Sequence, residues 1–142
     1  MGVAEELKAM ADRRELDAVE PSVEKAKVML SAADRSLKTA RSIASTDPGS
    51  TLLVAWDGIA FQALAAALAL AGYRVTSQPG HHRAAVKAAR LLLGEDVLLS
   101  RIDRLRRTRG RGMYEGEPAD KEDVAGALDD CEELIKVVRA RA

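Results

Sequence analysis

Residues 51–73 read TLLVAWDGIAFQALAAALALAGY, and this stretch decides the fold. Asp57 is its only charged residue. About 20 apolar residues suffice to cross a bilayer, so a membrane span has to be weighed. Asp57, Gly58 and Gln62 interrupt the stretch, and its flanks lack the basic asymmetry that orients a span. The reading that fits is a central helix covered on most sides by other helices, ended by Gly72. It is more apolar than one bundle face needs, which predicts that a second copy of the chain covers the surplus and makes a homodimer.

The flanking segments read as further helices. Upstream, Pro21 and Ser22 announce a helix, with Ser22 as its cap. Its apolar positions are Val23, Ala26, Leu30, Ala33, Leu37, Ala40 and Ala44, in the alternating three-four spacing of a packed bundle helix. Residues 46–50, TDPGS, are expected to be a loop. Residues 1–20 are charged, with a weak stripe at Leu7, Met10 and Leu16, and are expected to be a short helix or a tail outside the 21–142 domain. Downstream, 74–80 is a polar loop, and His81, His82 and Arg83 open a third helix that Gly94 breaks. A fourth helix runs from about Glu95 to Arg109 or Gly112, residues 115–119 form a loop, and Asp120 caps a last helix through about Arg139. No β-alternation is visible. The expected class is all-α, an up-and-down bundle of four to five helices.

Composition agrees. Apolar residues make up 47% of the 142 but aromatics only 3%, so the core must be Ala, Leu, Val and Ile, the mix of a helical bundle. One cysteine, Cys131, excludes an internal disulfide and argues against a cysteine metal cage. No metal or other cofactor is expected. Without a basic region and apolar run near Met1, a cytoplasmic protein is expected, with no membrane partner. Zero formal net charge argues against bulk nucleic-acid binding but leaves room for a local basic site.

That local site is residues 101–114, RIDRLRRTRGRGMY. Six arginines (101, 104, 106, 107, 109, 111) stand against one acid, Asp103. Leu98, Ile102 and Leu105 form a helical stripe whose next member is position 109. At about 100° per residue, Arg109 projects within roughly 20° of Leu98. An arginine where a core residue belongs needs a partner, because burying an unpaired charge is costly. Asp57, expected inside the bundle, is the favoured partner. Guanidinium groups grip phosphate bidentately, so Arg109 is the leading candidate for a phosphate or RNA-backbone contact. Arg104, Arg106, Arg107 and Arg111 would form an electrostatic funnel around it. Gly110 and Gly112 would let the backbone bend and bring Tyr114 into the same pocket. His81 and His82, about 100° apart on a helix, read as a cap or interhelix contact rather than a joint ligand pair. Cys131 reads as inert packing.

The layout resembles the HEPN superfamily, small α-helical bundles found in prokaryotic toxin and defence systems and in larger RNases. The resemblance covers about residues 22–140. It rests on the long Ala/Leu-rich second helix, the polar loop leading to His81 and His82, and the Arg-rich end of the penultimate helix. Arg109-Gly110-Arg111-Gly112-Met113-Tyr114 fits the Arg-x4-Tyr form of the signature seen in small stand-alone members. Gly110 stands where a polar residue is usual, and Tyr114 where nucleolytic members have His. The resemblance implies that Arg109 and Tyr114 are the catalytic pair, with His81 and His82 in support beside Asp57, the acid that the residues themselves single out. It implies a homodimer facing RNA or a nucleotide, a toxin or defence role, and a cognate antitoxin such as a nucleotidyltransferase. A phenol has an unperturbed pKa near 10 and is a poor base at neutral pH, so metal-independent ribonuclease activity would be weak. The competing class is a non-catalytic helical protein–protein interaction module.

Overall fold

The computed structural model describes the backbone of residues 2–115 and 121–142, and the side chains of residues 2–109 and 122–142. Helices dominate it, as the apolar periodicity requires. In order they are α1 (Val3–Asp12), β1 (Leu16–Ala18), α2 (Val23–Ile43), α3 (Pro48–Leu53), a π turn (Val54–Ala60), α4 (Phe61–Ala71), β2 (Tyr73–Val75), α5 (His81–Leu93), α6 (Asp96–Glu115) and α7 (Lys121–Arg139).

The central stretch is one continuous rod, Pro48–Ala71. It is long and apolar enough to cross a membrane, yet 61% of its most apolar window is buried within the chain itself, as a core helix requires. The expected loop before it is shorter than the Pro-Gly pair suggests. Asp47 caps the rod by accepting from the Ser50 N–H, and Pro48 takes the first helical turn, where its missing N–H costs nothing. Ala-rich α4 lets α2 and α5 lie close against it, and α7 closes on α2 and α6. Trp56, Ile59, Leu64 and Leu68 of the rod meet Leu30, Leu99, Ile102, Leu134 and Val138 in one core.

Two features lay outside the sequence reading. The first is a strand pair. Leu16, Asp17 and Ala18 oppose Val75, Arg74 and Tyr73 in an antiparallel ladder. Each strand has three residues, too few for alternation to register. Gly72, at φ 89°, makes the turn, and a Cβ there would come within 3.0 Å of the Val19 carbonyl oxygen. Leu7, Met10 and Leu16 are buried, so α1 and β1 join the same core as the bundle.

The second is the π turn. The Phe61 N–H bonds to the Trp56 carbonyl five residues back, so one extra residue is wound into the rod. Cys131 of α7, buried, donates its thiol to the Ala55 carbonyl at 3.5 Å. Burial, and then the neighbouring Asp130 charge, push this thiol up to about 12. It stays protonated and remains a donor. Gly58 lets the widened turn press on α2: a Cβ there would stand 2.9 Å from Ser36 Oγ and 3.1 Å from Ser36 Cβ.

Gly58→Ala decides between two effects. At an unobstructed helix position the change would stabilise by about 1 kcal/mol. Here overpacking against Ser36 outweighs that, and we expect a net loss of about 1–2 kcal/mol in chemical denaturation. Most of the loss should vanish in a Ser36→Gly background. A stabilised Gly58→Ala single variant would mean that the turn does not touch α2.

Candidate functional site

The core stripe of α6 runs Leu98, Leu99, Ile102, Leu105, all buried. Arg109 continues it and reaches the π turn. Its Nη2 donates to Asp57 Oδ2 at 3.1 Å. The two residues are 52 positions apart in sequence, and α6 and the π turn meet there. The arginine side chain is 22% exposed and the carboxylate 49%. The expectation that Asp57 lies inside the bundle is therefore corrected. The π turn carries the carboxylate to the rim, where it keeps part of its hydration and avoids the cost of a buried charge. Screened this way, the pair contributes about 1 kcal/mol or less rather than the several kcal/mol of an enclosed one. Its role is orientation. Arg109 Nε is buried and has no hydrogen-bond acceptor among the described residues.

The second wall is the start of α5. Trp56, one residue before Asp57, is fully buried, and its indole N–H donates to His82 Nδ1 at 3.0 Å. A neutral His82 so bonded carries its proton on Nε2. Protonating Nδ1 would set two N–H groups against each other. Burial first, then the charges of His81, Arg109 and Arg106, lower the His82 pKa, and only Asp57 opposes them. His82 is thus held neutral beside the arginine. The interhelix reading of His82 matches this bond. The 100° divergence expected between the two histidines does not keep them apart, because both side chains turn onto Phe61. The His81 and His82 ring centroids are 4.3 Å apart, and those of Phe61 and His82 4.8 Å. His81 Nδ1 lies 3.1 Å from the Gln78 carbonyl oxygen.

The described arginines of the run differ in their surroundings. Arg106 Nε donates to Asp103 Oδ1 at 2.8 Å, while Arg107 Nε stands 3.5 Å from Asp103 Oδ2. The single acid of the run therefore fixes two of its cations. Arg106 and Arg109 lie near enough to His82 to act on its charge. Arg101, Arg104 and Arg107 face the other flank. There Arg101 and Arg104 line a cavity of about 230 Å³ with Leu105, Asp123 and Asp130. Arg101 Nη1 is 3.7 Å from Asp130 Oδ1, and burial of Asp130 raises its carboxyl above the usual range despite that neighbour. The side chains of Arg111 and Tyr114 lie outside the described residues. The backbone there stays helical through Gly110 and Gly112 to Glu115, so the bend expected at these glycines is not present.

Sequence reasoning missed Trp56 and Phe61. The available signal was that the chain's one tryptophan immediately precedes the one charge of residues 51–73. Among the described residues no three His, Cys, Asp or Glu side chains stand close enough to hold a metal ion.

A depressed histidine pKa makes acid destabilising. Between its folded value and the ordinary 6.5, the unfolded chain binds the proton and the folded chain does not. The His82 contribution is therefore present above 6.5 and is lost as pH falls towards the folded value. Trp56 fluorescence reports it directly. Its acid transition should have a midpoint below 6.5 and should disappear in His82→Phe; a midpoint above 6.5 would contradict the assigned hydrogen bond.

Comparison with known proteins identifies the family of the fold. The family model for the HEPN domain matches residues 26–141, from the first turn of α2 to the end of α7. Neither the curated proteins nor the solved structures yield a significant match. The matched span holds the rod, both histidines and the whole of the arginine run, and the chain belongs to the HEPN domain family.

Proposed function

We propose that the Asp57–Arg109 corner is a phosphate-binding site facing RNA or a nucleotide. The observation that carries this reading is the state of Arg109. One terminal nitrogen is fixed by Asp57, and a buried Nε has no acceptor among the described residues. A guanidinium so held is pre-oriented, and it loses little further freedom when a phosphate oxygen arrives. Arg106 stands close by and its own carboxylate partner fixes it.

Family membership supports an RNase- or toxin-related role. The signature of this chain ends in Tyr114 rather than His. Metal-independent cleavage is therefore weak at most, since a phenol exchanges protons slowly at neutral pH. A homodimer, a cytoplasmic defence role and a nucleotidyltransferase antitoxin complete the reading. One observation favours the other class, a helical interaction module. Asp103 and Asp130 already neutralise part of the arginine run, leaving a weaker field for a polyanion.

Fluorescence anisotropy with a short labelled RNA at two salt concentrations separates the two. Affinity should fall as salt rises, because arginines that neutralise phosphates release counterions. Arg109→Ala should weaken binding about tenfold, or ~1.4 kcal/mol. Arg101→Ala should weaken it less, since that side chain is mostly exposed and looks to the other flank. Equal affinity for wild type and Arg109→Ala would make the arginine run a solvated face and favour the interaction module.

A further inference from the structure

We infer that Phe61, His81 and His82 form a stacking ledge for an unpaired nucleobase beside Arg109, so that this corner takes single-stranded RNA or a strand end rather than a duplex. The inference rests on the phosphate-site reading of Arg109 and specifies what else the ligand must present.

Three rings sit together at the start of α5 in a chain with very few aromatics. Phe61 meets His81 edge-on at 5.9 Å and lies tilted to His82 at 4.8 Å. Trp56 packs beneath, 6.0 Å from Phe61 and 5.4 Å from His82, and is wholly buried. The three residues above it, Phe61, His81 and His82, are only partly buried. Core packing would have enclosed them, whereas a surface needing only solubility would not have gathered them.

The ledge is rigid. The Trp56 indole N–H holds His82 through Nδ1, and the Gln78 carbonyl lies within hydrogen-bond reach of His81 Nδ1. Rings fixed before the ligand arrives lose little entropy on stacking. The ledge also adjoins the cation. Asp57, which orients Arg109, belongs to the turn that runs directly into Phe61, and His82 senses the charges of Asp57, Arg109 and Arg106. An aromatic surface next to an oriented guanidinium matches the two halves of a nucleotide, an apolar π-face and a phosphate. Bases in an A-form duplex are stacked on one another, and a protein meets mainly phosphates and 2′-hydroxyls there. Only an unpaired base can use the ledge, and stacking of that kind tolerates any base.

The test compares three labelled probes by fluorescence anisotropy: a short oligoadenylate, an abasic ribose-phosphate oligomer of equal length, and a blunt-ended duplex of two annealed strands. The variants are His81→Ala, Phe61→Leu and Arg109→Ala. Phe61→Leu keeps apolar volume, and His81 lies outside the core, so at least one variant should keep the wild-type melting temperature. Wild type should bind oligoadenylate about tenfold more tightly than either other probe. His81→Ala and Phe61→Leu should erase that preference and leave abasic binding within about twofold, whereas Arg109→Ala should weaken all three probes. If the folded ring variants bind oligoadenylate as wild type does, the ledge is overturned and the Arg109 reading stands. If they instead lose self-association in sedimentation with RNA affinity unchanged, a second copy of the chain covers the rings, and the ledge is again overturned. A wild type that binds none of the probes overturns both readings.

Discussion

The contact between Arg109 and Asp57 is what the rest of the corner depends on. It joins α6 to the central rod across 52 residues of sequence, and it sits where a greasy helix stripe runs out of apolar residues. Several otherwise unrelated features serve it. The π turn brings Asp57 to the rim. Gly58 lets that turn pass Ser36, and the Cys131 thiol satisfies a carbonyl within it. A straight α-helix would place one residue fewer between Trp56 and Phe61, and would present a different face to α5 and α6.

The pair is weak as a source of stability and strong as a device for orientation. Half-exposed ion pairs contribute little net free energy. A guanidinium with one terminal nitrogen fixed by a carboxylate is already oriented before an anion arrives. The electrostatics around it follow the same logic. His82 is kept neutral by burial, by the Trp56 N–H and by nearby arginines, so it adds no positive charge that would compete with Arg109 for Asp57. Asp103 draws Arg106 and Arg107 together on its two oxygens and lowers the repulsion that a bare arginine run would suffer.

Much of this was legible in the sequence, for reasons particular to each residue. The helical class followed from three-four spacing and from a core that is almost free of aromatics. Position 109 was legible because an arginine on an apolar stripe has few places to go. Asp57 was legible as its partner because it is the one charge in a long apolar run. Its exposure was not legible, since helical periodicity assumes a constant turn and the π turn breaks that assumption at Asp57 itself. The Trp56–His82 bond depends on the same local winding and on a tertiary approach that no spacing encodes. The strand pair escaped because three-residue strands carry no period. Gly110 and Gly112 lie within a helix that continues to Glu115, because glycine only weakens a helix by about 1 kcal/mol and does not by itself end one.

The central claim, that Arg109 is held by Asp57, is tested most directly by a double-mutant cycle on folding stability. Asp57→Asn, Arg109→Gln and the double variant are unfolded in denaturant beside the wild type, and the coupling free energy is taken from the four values. The account predicts a favourable coupling of about 0.5–1 kcal/mol that shrinks as salt is raised. Strictly additive losses at low salt would show that the two side chains do not hold each other.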